Sequence, residues 1–173
     1  MFYFLKPLPE KKIDFTTYKP FITNKWFDKH FMKFVYVLQV MLVLLSVRFG
    51  VWNFFSWFVN VLLFCGVYLV HELLHILVIF RIGDISLTHS GIFFWIHSDA
   101  VMSKKRFLSF MTLPLFVLTI VPILIMPWAS GYALEFLEFI AWINAIIAGA
   151  DIINGVLIAI KPAKSEFYRG YYR

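Results

Sequence analysis

The stretch Val70-His71-Glu72-Leu73-Leu74-His75 constrains this chain more than any other, because it sets three ionisable side chains inside a hydrophobic run from Val51 to Phe80. On an α-helix, residues four apart lie about 40° apart around the axis, so His71 and His75 project one above the other from one face. Two imidazoles placed in this way can grip one metal ion. Glu72 lies about 100° round from His71, close enough to act on a water beside the metal without ligating it. A charged side chain at the centre of a membrane helix costs about 2.5–3.5 kcal/mol on insertion scales, so such groups call for a cation or a polar cavity. The pattern predicts a zinc (Zn2+) site with His71 and His75 as ligands and Glu72 as general base. The alternatives are a mutually satisfied polar cluster and a haem-ligating histidine.

Composition decides the class of protein around that site. At 173 residues the chain is one domain by length, and it is 61% hydrophobic and 20% aromatic with only 15% charged residues. That balance belongs to an integral membrane protein. A net charge of +6 would suit nucleic acid, but the basic residues fall at the ends of apolar runs and not along one stripe. They read as topology signals, and nucleic acid is excluded as a partner. Cys65 stands alone and about 240° from His71, off the histidine face, so neither a disulfide framework nor a CxxC metal site is possible.

The expected fold is an all-α membrane protein of about four transmembrane helices, with a small β-hairpin between spans two and three. Residues 1–33 carry seven lysines and Pro7, Pro9 and Pro20, which predicts a cytosolic, partly interfacial tail touching anionic lipid. The embedded domain is expected over 34–160. Its first span runs from about Phe34 to Val47 or Trp52. The second, Val51 to Phe80, would be about 45 Å long as one helix, more than the roughly 30 Å hydrocarbon layer, so it tilts or begins in the interface. Between Gly83 and Ser103, alternating residues around Ser90-Gly91 predict strands near Asp84–His89 and Ile92–Ser98. A third span, about Phe107–Trp128, contains Pro114, Pro122 and Pro127, which kink it or free backbone carbonyls. A fourth, about Leu134–Ile160, precedes a cytosolic C-terminal tail over 161–173. Basic residues crowd both ends and the loop between spans two and three, so the positive-inside rule puts both termini in the cytosol of a multi-pass protein.

Spans two and four then run the same way. His71 lies ten residues before Arg81 and Asp151 ten before Lys161, so each sits about 15 Å inside its cytosolic boundary if helical. Asp151, level with the histidines, is the expected third ligand; its alternative is a bond to Asn154 or Asn144. Ala145, Ala148, Gly149 and Ala150 allow close helix approach. Asn144 shares the Asp151 face and could stabilise an oxyanion if the helix bends near Gly149, and could equally be an interhelical hydrogen bond. His89 and His97, on the hairpin, compete for the third ligand position, and His30 in the basic tail is unrelated to the metal.

HELLH in a membrane helix, a following hairpin, a proline-containing third helix (Leu108 to Pro122) and Asn144 with Asp151 in the last helix together resemble a zincin peptidase family of small bacterial membrane proteins, related to site-2 intramembrane metalloproteases. The resemblance covers about Val61 to Ile160. It implies His71, His75 and Asp151 as zinc ligands and Glu72 as catalytic base. Where the better-known site-2 proteases carry Asn-Pro and Asp-Gly, this chain has Asn144-Ala145 and Asp151-Ile152. The expected activity is zinc-dependent cleavage of a membrane protein or peptide near the cytosolic face. The rival expectation, from another class, is a non-catalytic metal-binding membrane protein such as a sensor, chaperone or immunity-type binder.

Overall fold

A computed structural model describes residues 2–4, 8, 15–90 and 93–173, with backbone alone at residues 2–4, 89, 90, 93–95 and 97. Three helical segments are long and apolar enough to cross a membrane, Lys25–Arg48, Trp57–Ile79 and Lys104–Trp128, and a bent helix pair makes a possible fourth. The protein is therefore mostly helical and of membrane type.

Helix α1 (Lys25–Arg48) starts well before the expected Phe34, because Asn24 caps it: its Oδ1 accepts from the N–H groups of Trp26 and Phe27, both at 3.0 Å. The breaking prolines all lie upstream of that cap. Gly50, at φ +74°, turns the chain out of the helix. The long apolar run that follows is not one helix. A short 3₁₀ turn (Val51–Asn53) comes first, and α2 (Trp57–Ile79) begins after Ser56, whose hydroxyl accepts from the N–H of Val59. Asn60 holds the turn against α2 by donating to the Trp52 and Phe55 carbonyls at 2.8 and 3.3 Å. The expected excess length is thus absorbed by a turn and not by tilt alone.

Strands β3 (Ile85–Ser90) and β4 (Phe93–Ser98) form the expected antiparallel hairpin, with Ile85 opposite Ser98. Gly91 and Ile92, part of the predicted turn, lie outside the described residues. β1 (Phe2–Phe4) pairs parallel to β3, giving a sheet of order β1-β3-β4. The hairpin is fixed at its base by Asp99, whose Oδ1 accepts from the Asp84 N–H at 2.6 Å. Gly83 permits this closure, since a Cβ there would come within 2.6 Å of the same oxygen. A cluster of Ile79, Ile85, Ala100, Met102 and Phe110 seats the hairpin on α2 and on α3 (Lys104–Leu115).

Beyond α3 the third span widens through a π-turn (Phe116–Ile120) into α4 (Val121–Ile125). The fourth span departs from expectation. Instead of one helix it is α5 (Tyr132–Ile147) and α6 (Gly149–Ala159), bent by 65°. The small residues at 148–150 make that bend possible. Ile146, whose carbonyl lies at the break, accepts from Gln39 Nε2 of α1 at 3.1 Å. A Cβ on Gly149 would meet Gln39 Cγ at 2.8 Å.

The last residues do not trail as a tail. β6 (Glu166–Tyr168) and β7 (Tyr171–Tyr172) complete a second sheet of order β2-β7-β6-β5 with β2 (Lys19–Pro20) and β5 (Met102–Ser103). Phe21, Ile158 and Phe167 bury one face of it. Lys161 lies over the Tyr172 ring at 4.3 Å, and Lys104 donates to the carbonyls of Ala159 and Lys161, closing the end of α6.

Candidate metal centre

The site begins with the helical spacing of His71 and His75, which stacks their rings on one face of α2 with centroids 4.8 Å apart. α3 packs on both α2 and α6, which brings Asp151, in the first turn of α6, against that face. His71 Nε2 lies 3.0 Å and His75 Nε2 3.2 Å from Asp151 Oδ2, and the two Nε2 atoms are 3.1 Å apart. Both histidines are buried, at 3% and 5% exposure. Among the described residues these three form the one group arranged to hold a metal ion.

The other ring nitrogens decide what the converging atoms are. His75 Nδ1 is 2.7 Å from the Phe110 carbonyl, which can only accept, so Nδ1 carries the hydrogen and donates. That carbonyl is free because Pro114, four residues on, has no N–H to return to it. His71 Nδ1 is 2.9 Å from Asn144 Oδ1. The Asn144 amide orientation is set in turn by its Nδ2, which donates to the Pro114 carbonyl at 3.1 Å and to Thr119 Oγ1 at 2.8 Å. Thr119 donates its own hydrogen to the Ala141 carbonyl at 3.3 Å. His71 Nδ1 is therefore a donor as well.

With both Nδ1 atoms protonated, each neutral imidazole turns an Nε2 lone pair towards the other and towards a carboxylate oxygen. Three acceptors within about 3 Å repel one another unless a cation lies among them. A tetrahedral zinc with ligand bonds of about 2.0–2.2 Å needs its donor atoms about 3.3 Å apart, close to the spacing found here. Two nitrogens and one oxygen are a donor set that zinc accepts, and hydrogen-bonded Nδ1 atoms are the usual support for ligating histidines. The residues fit the metal. They do not fit haem, since both Nε2 atoms point at Asp151.

These three ligand candidates open onto a cavity of about 530 Å³, also lined by Glu72, Tyr68, Gln39 and Asn154. Glu72 is half-buried on the cavity wall beside the histidines, and the Tyr68 phenol one turn earlier interacts with its carboxylate. Asn144 is elsewhere. It is fully buried, and both hydrogens of its amide are committed to Pro114 and Thr119. A bend near Gly149, the condition for an oxyanion role, is present, but it delivers Asn144 to His71 and not to the cavity, so no N–H remains for an oxyanion. Asn144 is a positioning residue in this geometry.

The backbones of His89 and His97 lie in β3 and β4, and their side chains are outside the described residues. His30 is engaged locally, with Nδ1 2.7 Å from the Trp26 carbonyl. Cys65 is exposed on α2. Sequence reasoning passed over Gln39, Tyr68 and the Phe110 carbonyl. Gln39 did carry a signal, as the lone amide in the apolar stretch from Phe34 to Leu45, where an unpartnered polar side chain would be costly. Phe110 was readable only by counting four residues back from Pro114.

No curated protein and no solved structure matches the chain. One family model does: that described as "Putative zincin peptidase" aligns with residues 63–165, a stretch that contains most of α2 with both histidines and Glu72, the hairpin, α3 and Asp151. The match spans more than half of the chain, and the donor geometry gives its zinc-dependent name a physical basis. This chain is thus a member of the zincin peptidase family.

Proposed function

We propose that this protein is a membrane-embedded zinc metalloendopeptidase, of site-2-protease type, that cleaves a membrane protein or peptide near the cytosolic face. The observation that carries the reading is the convergence of His71 Nε2, His75 Nε2 and Asp151 Oδ2 within about 3 Å of one another on a cavity that Glu72 also lines. Zinc bound there would act as a Lewis acid, acidifying water and polarising a peptide carbonyl. Glu72, not needed as a ligand, accepts a proton from the attacking water and returns it to the leaving amine. Asn144 and the Phe110 carbonyl hold the imidazoles in the tautomer that presents Nε2.

The hairpin supplies a means of holding substrate. β1 covers the outer edge of β3, whereas β4 is at the edge of the sheet, and Ile96 of β4 lines the cavity. An extended segment added to β4 would pass beside Glu72. The cluster of basic residues at the α2–α3 connection and at both chain ends supports the cytosolic placement of that end of the site and of both termini.

The experiment is metal analysis and peptide cleavage on detergent-purified protein, wild type beside Glu72→Gln. The reading expects one zinc per chain in both and cleavage in the wild type alone. Equal cleavage by both would remove Glu72 from the chemistry. Zinc without turnover in either would favour a non-catalytic metal-binding role.

A further inference from the structure

Asn154 lies in α6 one turn beyond Asp151 and seven residues before Lys161, so it is about 10 Å inside the basic end of that helix. Residues three apart share a helix face, and their Cα–Cβ bonds tilt towards the N-terminus, so the Asn154 side chain leans over the turn that holds Asp151. The next residue fixes which way that face points. Gly155 is buried where α6 meets α3, close enough that a Cβ there would meet Thr112 Cγ2 at 3.4 Å. With Gly155 turned to α3, the Asn154 side chain lines the metal cavity. Among the described residues, none hydrogen-bonds its amide. A polar side chain at such a depth in a membrane segment belongs to a cavity or to a partner.

We propose that Asn154 Nδ2 donates a hydrogen bond to the carbonyl oxygen of the peptide bond under attack. The proposal rests on the peptidase reading and fills the role that Asn144 cannot. The donor inventory of the cavity selects Asn154. The lining holds no lysine or arginine, and apart from the histidines the side chains there that carry N–H or O–H groups are Gln39, Tyr68 and Asn154. Gln39 donates to the Ile146 carbonyl, and the Tyr68 phenol is engaged with Glu72. Acceptors are in excess, since the Glu72 and Asp151 carboxylates face the same space. Two carboxylates offset the charge of a divalent ion, so nothing there favours an anionic ligand, whereas a neutral amide brings a carbonyl that lacks a donor. As negative charge grows on that oxygen in a cavity shielded from bulk water, a fixed amide N–H stabilises it without giving up its proton. Glu72, on the α2 wall, remains free to move the proton of the attacking water.

The test uses the full chain in lipid nanodiscs, wild type beside Asn154→Ala and Asn154→Leu, with a lysine-flanked leucine-alanine transmembrane peptide carrying a central Gly-Gly as the probe. Zinc content should match the wild type in both variants, since Asn154 is not a ligand; zinc lost from both would overturn the proposal by placing Asn154 in the frame of the metal site. The variants should lose about 10²–10³-fold in kcat, the usual effect of removing one such donor, with KM within about three-fold of wild type. A second readout needs no turnover. In the zinc-loaded Glu72→Gln background, the isotope-labelled carbonyl of the Gly-Gly bond should absorb in the infrared at a lower frequency with Asn154 intact than in either Asn154 variant. Equal frequencies, or a loss confined to KM, would overturn the proposal. A frequency difference without wild-type cleavage keeps the contact and counts against the peptidase. Cleavage with equal frequencies removes Asn154 and leaves the peptidase standing, and a peptide that is neither bound nor cleaved sinks both.

Discussion

On the α2–α3–α5–α6 side of the cavity two sets of hydrogen bonds orient the ligand rings: His71 Nδ1 to the Asn144 amide and on to the Pro114 carbonyl and the Thr119 hydroxyl, and His75 Nδ1 to the Phe110 carbonyl. On the α1 side, Gln39 reaches across to the break between α5 and α6 and donates to the Ile146 carbonyl, away from the ligand atoms. The helices on both sides include segments long and apolar enough to cross a membrane, so that property does not distinguish them. The difference lies in where polar groups are held. A metal site needs its donors fixed to within a few tenths of an ångström, and orienting hydrogen bonds do this. The α1 side holds no ligand atom, and one hydrogen bond between membrane helices averages about 0.6 kcal/mol.

The sharpest way to break this contrast is to remove a ligand. His75→Ala and Asp151→Ala should each lower bound zinc from one per chain to below a tenth, read by elemental analysis, with cleavage lost. Zinc retained by Asp151→Ala would move the third ligand elsewhere, to the hairpin histidines first. Glu72→Gln comes next: cleavage should drop by about 10²–10⁴-fold, the usual contribution of a general base, at unchanged zinc. A smaller effect is expected at the support layer. Asn144→Ala frees the His71 ring and should weaken zinc binding by about 10–100-fold in competition with a chelator; an unchanged affinity would sink its positioning role. The least effect should come from the other side. Gln39→Leu should reduce stability in a detergent-unfolding titration by about 0.6 kcal/mol and leave zinc affinity unaltered. A loss of zinc in that variant would mean that the two sides are not independent.

The metal pair was legible because helical spacing is local: His71 and His75 share a face whatever the rest of the chain does. Asp151 could be matched to them by depth, a one-dimensional count from two basic boundaries. Spacing put Asn144 on the right face and left it two tasks, an oxyanion donor or an interhelical hydrogen bond, of which the structure shows the hydrogen bond. Its destination depended on the bend at Ala148-Gly149 and on where Pro114 and Thr119 stood across the interface, and neither is encoded in spacing along one helix. The C-terminal residues were read as a tail because a short aromatic segment has no period to betray its partners. Strand pairing with Lys19–Pro20 and Met102–Ser103 joins parts of the chain far apart in sequence.

By itself the sequence determined the membrane class, the approximate spans, the hairpin and the donor types of the site, since each follows from composition, local periodicity or residue chemistry. The tertiary structure alone decided that Pro114 frees a carbonyl for His75, that a broken fourth span turns Asn144 to His71, and that α6, packed on α3 at Gly155, turns Asn154 to the cavity. Each of these is a meeting of groups from different helices, and such meetings are set by packing angles and helix breaks that no single segment contains.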